Sequence, residues 1–361
     1  MDSVSRLHHW ARARQRVKIG PRTLTVLDTG VPAPPLRSCE RDAVLILSGV
    51  AVPWLDWVDV LSLLSPTQRV ILVEREGLEG AGPIGEGPVV SLPSSSEGTA
   101  ASDDPAMSER PSTSEGIATP EGLSPSGLPS LFDEATALVG LLDAYQIRRV
   151  RILAHSMGAF IGEAFARLFP DRCELLVFAD GSCVNESDLP AQASPSPVVE
   201  CPRAGVLERF TAYWTRYAWA RSCVARLLWW PRRRGLATLP PGTERALALE
   251  LFTDERFIRA TVREMSIYRL WADEVVTLAR AFPLRSELRV LVATRHRVFQ
   301  DPWVRQQRAR FEARNAEIAR HQHSSSRQIQ NSFEVLSASH LLMRDNPELV
   351  ASAVSRCHEA S

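Results

Sequence analysis

One stretch of twelve residues constrains this chain more than any other. Arg149 to Phe160 reads RVRILAHSMGAF. A strand-prone run, Arg149–Ala154, passes straight into Ala154-His155-Ser156-Met157-Gly158, and an apolar helix pattern over Met157–Leu168 begins at once. So abrupt a turn tolerates only small residues two before and two after its apex. Gly158 meets that demand, and Ala154 meets it with one methyl more than the usual glycine. Ser156 then sits in strained backbone with its hydroxyl projecting, at a helix N-terminus where backbone N–H groups favour developing negative charge. A serine there can also be a plain N-cap. Its place between a buried strand and an apolar helix makes it a candidate nucleophile instead.

The rest of the chain alternates strands and helices. Gln15–Ile19 and Arg22–Asp28 read as a hairpin across Gly20-Pro21. Ala43–Ser48, Arg69–Glu74, Leu175–Ala179, Leu288–Ala293 and Phe333–Leu336 read as strands, and short apolar runs such as AVLILS fit strands covered on both faces. Helices are expected around Trp54–Leu64, Leu131–Tyr145, Pro302–Arg320 and Pro347–Cys357. The class is α/β, a mostly parallel sheet with helices on both faces.

Two segments break the alternation. Residues 86–130 are dense in Ser, Pro, Gly and acids, with too little apolar surface to offset the entropy of ordering, and are expected to be disordered. Residues 184–285 open with a Pro/Ser stretch and continue as helix-like patterns rich in Trp and Arg, as in a helical cap inserted before the late strands. Residues 1–85, 131–183 and 286–361 then form one core. The length, which alone would suggest about two domains, reflects one catalytic domain interrupted twice.

Composition excludes several classes. Lys+Arg and Asp+Glu both number 42, against the basic balance of a nucleic-acid-binding protein. No stretch approaches the ~20 apolar residues of a membrane span, and Met1–Gly20 lacks an apolar secretory core, so a cytoplasmic location is expected. Six cysteines show no C-x-x-C spacing and read as free thiols. His321 and His323 lack the companions a metal site needs. Lys18 is the only lysine, a bias that reports on a GC-rich genome and not on a partner.

At the elbow, the chain resembles the α/β-hydrolase superfamily, specifically bacterial serine hydrolases with a helical cap. The resemblance covers Val44–Gly80, Leu131–Cys183 and, more loosely, Leu288–Val354. It implies an oxyanion hole from the backbone N–H groups of Val50, in Ser48-Gly49-Val50 where the family has His-Gly-x, and of Met157 after the nucleophile. Glu74-Arg75-Glu76-Gly77 stands at a turn read as structural. In Ser337-Ala338-Ser339-His340-Leu341-Leu342-Met343, followed by Pro347-Glu348, it implies that His340 is the general base. His155 is expected to turn away from Ser156. For the acid, most relatives use the loop after Leu288–Ala293, where the first carboxylate is Asp301; some branches use the end of the preceding strand, here Asp180. Asp180 is preferred because a strand tip needs no loop excursion, and Asp301 is the alternative. A serine nucleophile argues against the dehalogenase and epoxide-hydrolase branches, which use aspartate.

Five of nine tryptophans, Trp214, Trp219, Trp229, Trp230 and Trp271, fall in the cap. They are expected mainly to pack the cap's own core, or else to line an apolar acyl pocket. Leu227-Leu228-Trp229-Trp230 before Arg232-Arg233-Arg234 raises peripheral membrane contact as a third reading. The resemblance implies a serine esterase or related acyl hydrolase for a small apolar ester, with no metal or organic cofactor. The rival is a degenerate hydrolase serving as a binding protein.

Overall fold

The computed structural model describes residues 9–32, 42–79, 84–90, 129–182, 209–233, 242–295, 300–321 and 330–355. Its centre is a sheet of β1 (Arg14–Ile19), β2 (Arg22–Asp28), β3 (Asp42–Leu47), β4 (Val70–Glu74), β5 (Gly85–Val90), β6 (Arg149–His155), β7 (Cys173–Ala179), β8 (Glu287–Ala293) and β9 (Ser332–Leu336), in the order β5-β1-β2-β4-β3-β6-β7-β8-β9. Strands β4 through β9 in that order run parallel, while the β1–β2 hairpin joins β4 antiparallel.

The central strands follow the two-residue alternation of a sheet covered on both sides. In β3, Ala43, Leu45 and Leu47 enter one core and Val44 and Ile46 the other. In β7, Leu176 and Phe178 face the first core, and Leu175, Val177 and Ala179 the second. On the first face lie α2 (Leu131–Ala144) and α3 (Gly158–Leu168), supplying Leu138, Phe160 and Phe165. On the second lie α1 (Val58–Leu64) and α8 (Pro347–Val354), supplying Val58, Leu61, Val350 and Val354. Ser130 begins α2 with a reciprocal capping box to Asp133.

Between β7 and β8 the chain forms α4 (Ala218–Trp229), α5 (Thr243–Phe252) and α6 (Glu255–Ala281), in the region expected to be the cap. Only Trp271 of the five cap tryptophans is fully buried, its indole N–H donating to the Pro129 carbonyl at 3.0 Å. Trp214, Trp219 and Trp230 are exposed and Trp229 half-buried, which corrects the expectation that these rings fill the cap's core. The expectation of disorder from Glu86 onward is also corrected at its start: Glu86–Val90 belong to β5, which pairs with β1. A strand reading GEGPVV carries no apolar alternation, and its proline is tolerated because β5 lies at the sheet's edge. Residues 91–128 lie outside the described residues, as do 183–208.

Helix α7 (Gln300–His321) is fastened to α3 by buried charge. Glu163 receives Arg310 at 2.6 Å, Arg314 at 2.6 Å and Arg167 at 2.9 Å. Burial would raise its pKa, but the guanidinium groups of Arg314, Arg310 and Arg167 outweigh that and hold the carboxyl well below the ordinary range. A depressed carboxylate contributes stability above its unfolded value of 4.5, lost as pH falls below it. Glu163→Gln leaves guanidinium charge without its counter-ion and is expected to cost about 3–5 kcal/mol, read from urea unfolding at neutral pH. A loss under ~1 kcal/mol would place that charge in contact with solvent.

Candidate active site

Register brings the site together. Leu47 lies beside Ala154, His155 beside Ala179, and Ala293 beside Leu336, so β3, β6, β7, β8 and β9 end almost level. Ser48, Ser156, Asp180 and the loop carrying His340 emerge from that carboxyl edge, where open α/β sheets place their sites.

Ser156 stands at φ 50°, in left-handed backbone that a non-glycine residue adopts only when its surroundings impose it. Those surroundings are visible. A Cβ on Gly158 would lie 2.4 Å from the Leu47 carbonyl oxygen and 2.7 Å from that of Ser48, so no other residue fits there. Ala154 is fully buried, and its extra methyl is accommodated one helical turn on, where a Cβ on Gly162 would come within 3.0 Å of it. Asp180, at φ 46°, is strained in the same way, and the two turns are joined by the Ser182 N–H donating to the Ser156 carbonyl at 2.8 Å.

His340 bridges the two. Its Nε2 lies 2.9 Å from Ser156 Oγ, and its Nδ1 lies 2.5 Å from Asp180 Oδ2. The other Asp180 oxygen accepts from the Ala293 amide at 3.1 Å and the Trp303 indole at 3.3 Å. The carboxylate is therefore buried (1% exposed) yet fully satisfied. A carboxylate facing Nδ1 keeps the proton there, which leaves Nε2 free to accept from the serine hydroxyl. Asp301, the alternative acid, is exposed in the first turn of α7. Sequence reasoning missed the role of that helix: two residues on, Trp303 reaches Asp180, and Gln307 and Arg310 donate to the carbonyls of Gly181 and Ser182 at 2.8 and 2.6 Å.

The Ser48–Ala51 loop packs directly on the elbow, since a Cβ on Gly49 would lie 2.6 Å from Ser156 Cβ. Val50 follows Gly49 in that loop, and Met157 follows Ser156 at the head of α3. Three buried groups fix this loop. Trp57 donates to Ser48 Oγ at 2.8 Å, Arg75 to the Ser48 carbonyl at 2.7 Å, and Arg232 to the Ala51 carbonyl at 2.7 Å. Arg75 is paired with Glu264 of α6, and Arg232 with Asp56 at 2.6 Å. The Glu-Arg-Glu-Gly turn is structural, as expected, and it ties the loop to the helices between β7 and β8.

His155 does not simply turn away. It is fully buried, and its Nε2 lies 2.8 Å from the His340 carbonyl oxygen, so it holds the backbone of the candidate base. Burial, with the His340 ring adding to it, pushes its pKa down to about 3. The neutral ring must therefore carry its proton on Nε2 to donate to that carbonyl. In the unfolded chain the imidazole takes a proton near 6.5, so unfolding consumes one between pH 6.5 and about 3. A lowered histidine pKa gives stability that is present above 6.5 and lost as pH falls through this window. His155→Gln is expected to flatten the fall in unfolding free energy between pH 6.5 and 4 by about one proton; an unchanged slope would contradict a neutral buried His155. His321 donates from Nδ1 to the Glu317 carbonyl of its own helix at 2.9 Å, and no cluster of three or more metal-ligating side chains occurs among the described residues. His323 lies outside them.

A sequence model of the alpha/beta hydrolase family matches residues 43–353. Among solved structures, one from Nostoc sp. described as an alpha/beta hydrolase superposes with a TM-score of 0.56 at 13% identity, over 94% of this chain and 96% of that one. The thioesterase domain of the curacin biosynthetic pathway gives 0.55 at 14%, over 94% and 98%. Cfl2 from Burkholderia cenocepacia gives 0.54 at 15%, over 94% and 93%. Such identities speak to the fold alone. No curated protein matches the chain significantly.

Proposed function

The chain belongs to the alpha/beta hydrolase family, and from that premise we propose that it is a serine hydrolase cleaving a carboxylic ester or related acyl bond of a small apolar substrate. The observation that carries this reading is the continuous path Asp180–His340–Ser156, with contacts of 2.5 and 2.9 Å.

The geometry supports the following sequence. Ser156 Oγ attacks the acyl carbon while its proton passes to His340 Nε2. Asp180 holds the Nδ1 proton and stabilises the imidazolium. The carbonyl oxygen becomes an oxyanion, taken by the Val50 and Met157 amides; each such donor is typically worth ~3–4 kcal/mol in the transition state. His340 returns its proton to the departing alkoxide or thiolate, which leaves an acyl-serine. Water, deprotonated by the same His340, then releases the carboxylic acid and restores Ser156.

An acyl-enzyme has a kinetic signature. Purified protein mixed with a p-nitrophenyl acyl ester is expected to release close to one p-nitrophenol per chain in a burst, then turn over at a slower steady rate. A parallel series of acyl thioesters distinguishes the two leaving-group classes. A chain inert towards both series would overturn the hydrolase reading in favour of a binding role.

A further inference from the structure

In the segment 209–233 every aromatic side chain but the half-buried Trp229 is exposed. Phe210 (59% exposed), Tyr213, Trp214, Tyr217 and Trp219 (59%) form one connected ring cluster, with centroids 5.6–6.4 Å apart along the chain of contacts. Helix α4 continues the face. Its exposed positions, Trp219, Ser222, Cys223, Arg226 and Leu227, recur at intervals of three and four and lead to Trp230 in the next turn. At 100° per residue these positions form a single stripe about 16 Å long. Leu227 is 73% and Trp230 62% exposed, while Ala225 on the opposite side is fully buried. The solvent side of the helix thus carries Trp219 and Leu227 beside Ser222, Cys223 and Arg226, while Ala225 and the half-buried Leu228 and Trp229 pack on the second core.

Charge within this segment is of one sign. Residues 209–233 contain six arginines and no Asp or Glu. Arg209, Arg216, Arg226 and Arg233 are exposed, and Arg233 stacks over the Trp230 ring at 3.6 Å. Arg232 is not part of the face: it is buried and ion-paired to Asp56 at 2.6 Å, and so anchors the end of the stripe to the Ser48–Ala51 loop. The boundary therefore differs from the Leu227–Arg234 run that stood out in the sequence.

Rings with a polar edge, interleaved with arginine and free of carboxylates, match the headgroup level of a bilayer carrying negative charge. Among the described residues no helix is long and apolar enough to cross a membrane, so the fit is to lying on one. We propose that the Phe210–Trp230 face docks on an anionic lipid surface, independently of the hydrolytic reading.

The test is sedimentation of the full chain with sucrose-loaded vesicles of phosphatidylcholine, alone or with 30% phosphatidylglycerol, while tryptophan emission is followed. Binding is expected to the anionic vesicles only, with a blue shift, and to weaken as salt rises from 50 to 500 mM. Arg216→Gln with Arg226→Gln should lower the affinity about 25-fold, near fivefold per arginine. Trp219→Ser with Trp230→Ser should lower it at least about tenfold and remove most of the blue shift. All four side chains are exposed, and circular dichroism checks that each variant folds. Absence of binding to anionic vesicles, affinities unmoved by either double substitution, or a concentration-dependent dimer that buries Trp219 and Trp230 would each overturn the proposal.

Discussion

Ser156→Ala is expected to lower kcat for an acyl ester by about a million-fold and to leave KM within a few-fold. The magnitude follows from how a nucleophile–base pair works. Once Oγ is gone, His340 has nothing to deprotonate on the attacking side, and the acyl-enzyme cannot form. On the proposed reading, what persists is binding plus the oxyanion contacts of the Val50 and Met157 amides, which leave about a thousand- to ten-thousand-fold over water. His340→Ala should cost nearly as much, and the double variant scarcely more, because the two side chains act as one unit. Ser156 lies on a turn whose geometry is imposed by Gly158 and by the Ser182–Ser156 hydrogen bond, so loss of the hydroxyl should not disturb the fold. The check is steady-state kinetics on highly purified variant, with unfolding curves beside it. A variant within tenfold of the natural chain would place the chemistry elsewhere.

Asp180→Asn should cost about ten-thousand-fold in kcat, whereas Asp301→Asn should change it less than twofold. Asparagine would present either an amide N–H to Nδ1, which forces the ring into the wrong tautomer, or a neutral oxygen that stabilises imidazolium poorly. The fixed donors around the natural carboxylate sharpen the effect. The Ala293 amide at 3.1 Å and the Trp303 indole at 3.3 Å both point at Oδ1, so the amide oxygen would settle there and turn its NH2 toward His340. Asp301 has no such setting; it is exposed at the start of α7. Equal losses in the two variants would remove Asp180 from the relay.

These two carboxylates show how far the sequence could be read. The elbow was legible because strand, tight turn and helix each carry a strong local pattern, and because steric demand fixes the residue types around Ser156. His340 was legible from its small-residue loop. A geometric argument prefers Asp180 over Asp301, and in the structure it is Asp180 that lies 2.5 Å from His340. The role of α7 was not legible, since Trp303, Gln307 and Arg310 act across more than a hundred residues on a turn their own periodicity does not mention. Strand position alone turns His155 away from Ser156; that its side chain faces the neighbouring loop's carbonyl depends on where that loop lands. β5 escaped because an edge strand need not alternate. The general tendency of large apolar residues points the cap tryptophans inward, but their helical spacing does not say which face meets solvent. Arg75 and Arg232, which join the Ser48–Ala51 loop to the helices between β7 and β8, likewise became readable only with partners Glu264 and Asp56 in place.

The most direct test of the central claim is covalent. A fluorophosphonate reacts with a serine only when a neighbouring base raises its nucleophilicity and an oxyanion site accepts the phosphonyl oxygen. The chain is expected to take up one equivalent, mapped by peptide mass spectrometry to Ser156, with labelling lost in Ser156→Ala and strongly slowed in Asp180→Asn. No adduct on the folded protein, or an adduct on another residue, would contradict the account.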